Sequence, residues 1–271
     1  MKIRHSCLAL ALSTLGTLAP ALATAEDATA DKSPHSVSGN LTLTTDYIVR
    51  GLSQTGRRPA VQGTVDYSHS SGLYAGTFWS NVSWPSDFFS NGTNNISSGV
   101  EIDGYFGFRN KLGEDLSYDV GYIYYYYPGR YQIATPGLKN PNTAEVYVGA
   151  GWKWISAKVS FATTDGVFMV DKAKGSYYAE LNATVPVMEG VNLVGHVGTW
   201  KWKGEAVPGT ANSVADTRDI KLGVTADALG MTWGAFWWKA DADAAAKTFW
   251  TDRFGQFVGD DRFYFSATKA F

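Results

Sequence analysis

One cysteine occurs in 271 residues, and that residue, Cys7, lies within an N-terminal leader. Disulfide staples and thiolate metal sites are therefore excluded from the chain beyond it. Cys7 follows Arg4-His5-Ser6, ahead of the apolar core of the leader, which is the wrong place for a lipid-attachment cysteine. Long apolar runs are also missing: beyond the leader none reaches the ~20 residues that a spanning helix needs. A basic surplus is absent too, with 23 Lys and Arg against 25 Asp and Glu. Losing Lys2 and Arg4 with the leader widens the acidic excess from two to four, and no basic cluster stands out, so nucleic acid is not an expected partner. Prolines are few, and those beyond the leader (Pro34, Pro59, Pro85, Pro128, Pro136, Pro141, Pro186 and Pro208) all fall in or beside proposed connections. A closed sheet has no edge where a missing N–H is harmless, so this placement agrees with closure.

The leader has the form of a secretory signal: Lys2 and Arg4, an apolar core over Leu8–Leu18, then Ala21-Leu22-Ala23 or Ala23-Thr24-Ala25 as a small-x-small cleavage site. The expected organisation is a cleaved signal peptide over 1–25, a flexible periplasmic lead-in over 26–36, and an outer-membrane β-barrel over 37–271.

What is abundant is alternation with a period of two. Leu41, Leu43, Thr45, Tyr47 and Val49 fall on one face, and Asn40, Thr42, Thr44, Asp46, Ile48 and Arg50 on the other. That is the pattern of a strand with one apolar and one wet side. A polar connection (51–59), a second alternating run, the tight Ser70-Ser71-Gly72 and a third run to Trp84 follow, and the rest of the chain repeats this rhythm. Twelve strands are predicted, with six longer and five tight connections in strict alternation. Long loops at one end and short turns at the other are how spanning antiparallel barrels are built. The fold class read from this pattern is all-β, a transmembrane antiparallel up-and-down β-barrel of about twelve strands. A soluble sandwich or barrel has no reason to segregate loop length this way. The aromatic content of 14% fits such a barrel, with Trp152, Trp154, Tyr122–Tyr126, Trp233 and Trp237 as interface girdles.

Several short motifs resemble a known family. Asp46-Tyr47, Arg50-Gly51-Leu52-Ser53-Gln54-Thr55, Pro59-Ala60-Val61-Gln62-Gly63, Asp66-Tyr67-Ser68-His69, Gly72-Leu73-Tyr74-Ala75-Gly76 and Ser80-Asn81-Val82 are similar to the N-terminal signature of the TorF family of porins. Glu101-Ile102-Asp103-Gly104-Tyr105, Ser117-Tyr118-Asp119-Val120-Gly121, Tyr124–Pro128, Glu145-Val146-Tyr147 and Tyr177–Asn182 extend the resemblance over most of the chain. It implies an outer-membrane channel and names no solute. The terminal Phe271, sharing a face with Phe263, Phe265 and Ala267, resembles the signal read by the outer-membrane insertion machinery, with Lys269 as a departure from it.

Charges on the lipid face would cost ~2–4 kcal/mol each for Arg or Lys at mid-bilayer, so the wet face is expected to line a lumen. The predicted pore-lining residues are Asp46, Arg50, Asp66, Glu101, Asp103, Arg109, Asp119, Glu145, Lys158, Glu180, His196, Lys221 and Arg262, with Lys153 and Asp219 on the same face. These charges either bias ion traffic or pair across strands and plug the bore. A row of Tyr74, Tyr105, Tyr125, Tyr127, Tyr147, Tyr178 and Tyr264 joins them, as a solute track or as space-filling rings. No nucleophile elbow, phosphate loop or HExxH pattern is present. The function expected is passive diffusion of small hydrophilic solutes through an outer-membrane porin, not an enzyme, with no cofactor or metal and with outer-membrane lipid and the insertion machinery as partners. The alternatives are a barrel hydrolase using His196 and a plugged structural or adhesive barrel.

Overall fold

The computed structural model describes residues 33–271, so the expected signal peptide and most of the lead-in lie outside the described residues. Its strands, in chain order, are β1 (His35–Thr44), β2 (Ile48–Val49), β3 (Leu52–Ser53), β4 (Ala60–His69), β5 (Leu73–Asn81), β6 (Asn95–Ser98), β7 (Val100–Leu112) and β8 (Leu116–Tyr126). Then come β9 (Gly129–Gln132), β10 (Thr143–Trp152), β11 (Ile155–Ala162), β12 (Tyr177–Met188), β13 (Val191–Lys201), β14 (Thr217–Ala228), β15 (Met231–Asp241) and β16 (Arg262–Ala270). Two short helices, α1 (Trp84–Phe89) and α2 (Ala244–Phe249), sit in the longer connections.

Twelve of these strands form one closed barrel in the order β1-β16-β15-β14-β13-β12-β11-β10-β8-β7-β5-β4. Each strand pairs antiparallel with its barrel neighbours, and β1 closes the seam on β16 from Asn40↔Ala270 to Thr44↔Ser266. The short strands stand apart as two ribbons, β2–β3 and β6–β9. Barrel closure leaves no row of unpaired backbone groups, which is the condition for crossing a hydrocarbon layer with strands.

The two faces divide as the alternation predicts. Leu41, Val65, Ile102 and Leu222 are 43%, 46%, 41% and 54% exposed, and they point away from the bore. Their sequence neighbours Thr42, Thr64, Glu101, Asp103 and Lys221 are buried inside. Trp152, Trp154 and Trp233 are exposed on the outer surface. A soluble barrel would turn the apolar face of its wall strands to the centre; here that face is turned outward.

The turn end of the barrel is tight. Ala228 and Met231 pair directly across Leu229 and Gly230, whose φ values of 57° and 69° form a two-residue turn with both central residues left-handed. At Gly72, with φ of 101°, a Cβ would crowd the Arg109 carbonyl, so only glycine fits. Pro186 sits inside the end of β12 rather than in the turn after it, at a register shift between Pro186 and Met188 that absorbs the missing donor.

The first strand is shorter than its pattern. β1 stops at Thr44, whereas the alternation continues to Arg50. Tyr47 and Ile48, consecutive residues expected on opposite faces, are both buried, at 4% and 5% exposure. The chain leaves the wall here and enters the bore.

Candidate functional site

The segment that enters is a small hairpin. Ile48 pairs with Ser53 and Val49 with Leu52, and the tip is Arg50-Gly51 with φ values of 50° and 80°. Two consecutive positive φ values match the twist of a two-residue hairpin. Asp46 anchors the base: its carboxylate accepts from Ser53 Oγ at 2.6 Å, Thr55 Oγ1 at 3.1 Å and Arg262 Nη1 at 3.1 Å. Burial pushes the Asp46 carboxyl above its usual range, against the pull of Ser53, Arg262 and Thr55. Gln54 N donates to the Tyr47 carbonyl at 2.7 Å and closes the base.

The tip reaches the far wall. Arg50 Nη2 lies 2.6 Å from Glu145 Oε2 on β10, a pair with both side chains buried. The guanidinium carbon lies 4.8 Å from the Tyr178 ring on β12, 4.7 Å from Trp200 on β13 and 5.7 Å from Phe168. A Cβ on Gly51 would lie 2.6 Å from Cβ of Asp219 and 3.0 Å from Cβ of Ala240. β10, β12 and β13 lie nearly half a turn of the barrel away from β1, where the hairpin starts. The hairpin therefore bridges the bore.

It also organises the apolar packing inside. Leu52 belongs to a cluster with Val167, Trp200, Trp202 and Trp250. Tyr47 belongs to a second, with Phe78, Trp84, Tyr125 and Tyr127. Ile48 belongs to a third, with Val194, Phe236, Trp238 and Tyr264. These clusters recruit the longer connections: Trp84 is in α1, Trp250 caps α2, and Val167 lies between β11 and β12. The two ends of the barrel differ accordingly, one tightly turned and the other roofed by packed loops.

The wall below carries ion pairs and hydrogen bonds. Lys158 Nζ meets Glu180 Oε1 at 2.8 Å. Tyr74 donates to Asp119 at 2.6 Å and lies 2.5 Å from the Tyr147 hydroxyl, while Tyr105 donates to Asp66 at 2.7 Å. Arg109 stacks on Tyr74, its guanidinium carbon 4.1 Å from the ring centre. Tyr147 and Tyr178 lie flat over Gly121 and Gly198 on adjacent strands, where a side chain would collide with their hydroxyls. Lys221 is 1% exposed, with its ammonium 4.8 Å from the Trp238 ring.

Of the predicted lining residues, Asp66, Glu101, Asp103, Arg109, Asp119, Glu145, Lys158, Glu180, His196 and Lys221 lie on barrel strands facing inward, as does Asp219. Asp46 and Arg50 are inside as well, but on the hairpin rather than on the wall. Arg262 opens β16 and braces the hairpin base through Asp46. Lys153 is the correction: it is a turn residue with φ of 52°, solvent-exposed, 3.7 Å from Asp115. The reversal at Lys153-Trp154 takes it off the strand, so the alternation no longer governs its direction.

His196 has both ring nitrogens engaged. Nδ1 is 2.6 Å from Asn182 Oδ1, and Nε2 is 2.9 Å from both Asp219 Oδ1 and the Tyr178 hydroxyl. None of these partners is a serine, threonine or cysteine, so His196 is paired with no nucleophile of those types; it forms an Asp–His pair with Asp219. Among the described residues no group of three or more His, Cys, Asp or Glu could hold a metal.

Sequence reasoning missed Trp200, Trp202, Trp250, Phe168 and Trp238. The first four lie in or beside long connections, and the fifth is the inward neighbour of an outward tryptophan. The signal that could have found Trp238 is register: in Trp237-Trp238 only one ring can face outward.

Residues 27–271 match a family described as bacterial protein of unknown function, Gcw_chp. The chain belongs to that family. No curated protein matches it. Among solved structures it is similar to the KdgM porin at 5% identity, with a TM-score of 0.48 over 86% of this chain and 98% of that one. It is also similar to the COG4313 outer membrane channel from Pseudomonas putida F1, at 12% identity and a TM-score of 0.43, covering 89% and 97% of the two chains. OprD of Pseudomonas aeruginosa follows at 11% identity and 0.36, covering 89% and 67%. Likenesses this distant concern barrel architecture alone.

Proposed function

We propose that this protein is a bacterial outer-membrane channel for passive diffusion of small hydrophilic solutes, narrowed by its own inward hairpin. One observation carries the reading: a closed barrel whose outer surface is apolar and whose inner wall, beside the apolar clusters around the hairpin, carries ion pairs, tyrosine hydroxyls and carboxylates. Such an exterior has no stable contact with water over its height, and charges in such number on the inner wall are costly unless paired or wet. The resemblance of the hairpin and wall motifs to TorF porins supports the same reading. In this picture the longer loops face outside the cell, the tight turns face the periplasm, and Phe271 on the outer surface is what the insertion machinery engages. Solutes pass beside the hairpin, along the tyrosine- and charge-lined wall.

The apolar clusters that roof the loop end favour a second reading, a barrel closed at rest. Both are tested by reconstituting the mature chain into planar bilayers. Stepwise conductance from the native protein supports the resting channel. Silence from the native protein with steps from Arg50→Ala supports the closed barrel. Silence from both removes the channel and leaves a structural barrel.

A further inference from the structure

At the loop end of the barrel, outward-facing charge on the strands is confined to one sector of the wall. On β14 the exposed face runs Arg218, Ile220, Leu222 and Val224, while Asp219 and Lys221 between them are buried. On β15 the outward face ends with Trp237, Lys239 and Asp241, and on β13 it ends with Lys201. Lys203 follows β13, and its ammonium lies 5.9 Å from the ring of Tyr177, the register partner of Lys201. Thr199 pairs with Arg218 and Ile220 with Lys239, so the cations step diagonally across three adjacent strands. Among the described residues, outward positions on the other barrel strands carry one further Lys or Arg, Lys269 at the turn end, and no Asp or Glu.

Three acids border this patch. Asp216 meets Lys201 Nζ at 2.9 Å, Asp241 opposes Arg218 across the β14–β15 ladder, and Asp261 precedes β16. Arg218, Lys239 and Lys203 are exposed, and among the described residues none of them forms an ion pair. Below them the same face of the wall is apolar, with Val197, Leu222 and Phe265 48%, 54% and 57% exposed. Cations at the rim of an uncharged wall match an amphiphile with an anionic head and apolar tails. A phosphate suits them better than a carboxylate, because it carries more charge and offers more acceptor oxygens to a fork-shaped guanidinium. A second copy of this chain is a poor match, since its outer wall holds no acid outside this sector to receive the cations.

We propose that the outer face of β13–β15 at the loop end binds the phosphorylated headgroup of a membrane lipid. Arg218 and Lys239 hold the phosphate, Lys201 and Lys203 add charge at its flank, and the acyl chains lie down the apolar wall past Leu222. The site rests on the barrel lying in a membrane and is independent of conduction, so silence in planar bilayers leaves it standing.

The test is native mass spectrometry of the folded mature chain in detergent, titrated with dioleoyl phosphatidic acid and, in parallel, dioleoyl phosphatidylcholine. The two lipids share their tails and differ in the head, and preferential retention of phosphatidic acid is expected. Arg218→Gln/Lys239→Gln should reduce that preference by about fivefold for each charge removed, and Arg218→Lys should keep most of it. Lys111→Gln/Lys153→Gln removes the same charge at the turn end and should leave the preference unchanged. Equal retention of the two lipids by the native chain overturns the site. An equal fall in the turn-end control also overturns it, because net charge rather than the patch is then selecting. Inorganic phosphate competing as well, mole for mole, as a soluble short-chain phosphatidic acid would show that the tails contribute nothing and overturn the lipid assignment. Compact mobility on unboiled gels verifies that each variant folds. Where the double variant fails that check, Lys239→Gln alone decides, and an unchanged preference there overturns the site.

Discussion

The barrel wall and the hairpin inside it are built on the same alternating sequence pattern and end in opposite places. On the wall, alternation sorts side chains between two solvents, and Leu41 and Leu43 point out while Thr42 and Thr44 point in. In the hairpin, Tyr47 and Ile48 are both buried although they are consecutive, because both faces of a ribbon inside a bore meet protein. Period-two patterning thus reports a strand, while what covers each face is decided by where the strand lies. The wall is held by continuous backbone pairing and by the surroundings of its outer surface. The hairpin is held at its Asp46 base, by the three apolar anchors Tyr47, Ile48 and Leu52, and at its Arg50 tip.

The largest expected effect on this contrast comes from the tip. Arg50→Ala strands Glu145 in a buried site, and breaking such a pair costs about 3–5 kcal/mol. That loss should fall on hairpin docking rather than on the wall. Single-channel conductance should rise and the hairpin should become open to proteolysis, while the compact gel band persists. If the band is lost instead, the hairpin is part of barrel stability and the two regions are not separable.

Next is a charge on the outer face. Leu222→Arg should cost about 2–4 kcal/mol if the position lies near mid-bilayer, read as a shift in the urea midpoint for folding into lipid vesicles. Pore properties should be unaffected in the fraction that folds. An unshifted midpoint would mean this face does not meet acyl chains.

A smaller effect is expected at Gly51. Its φ of 80° disfavours a side chain by about 1–2 kcal/mol, and a Cβ would also press on Asp219. Gly51→Ala should therefore loosen the tip and raise conductance less than Arg50→Ala does.

The smallest effect concerns Asp46. Its native carboxyl is raised by burial, so between the ordinary carboxylate value and the raised one the native state holds the proton more tightly than the unfolded chain. Stability from this group grows as pH falls through that window and is lost as pH rises through the raised value. Asp46→Asn should remove this pH dependence in denaturant titrations and destabilise less than Asp46→Ala, which abolishes the bonds to Ser53, Thr55 and Arg262. Equal losses in Asp46→Asn and Asp46→Ala would mean the charge itself, rather than the hydrogen bonds, holds the base.

Strand number, closure, the inside-out faces and the alternation of long and short connections were legible in the amino-acid sequence, because backbone geometry ties each of them to local periodicity and turn chemistry. Most of the inward charges were legible for the same reason: once one residue of a strand faces in, every second one does. The path of residues 45–55 was not legible. Local pattern is identical for a strand in the wall and a strand in the bore, and only contacts with Glu145, Asp219 and Trp200, remote in sequence, select the second. The tryptophan-rich roof and the packing of Tyr47 against Phe78 and Tyr125 arise in the same way, from residues that approach one another only when the sheet closes on itself. Periodicity determined the container, and closure of the chain in three dimensions decided its contents.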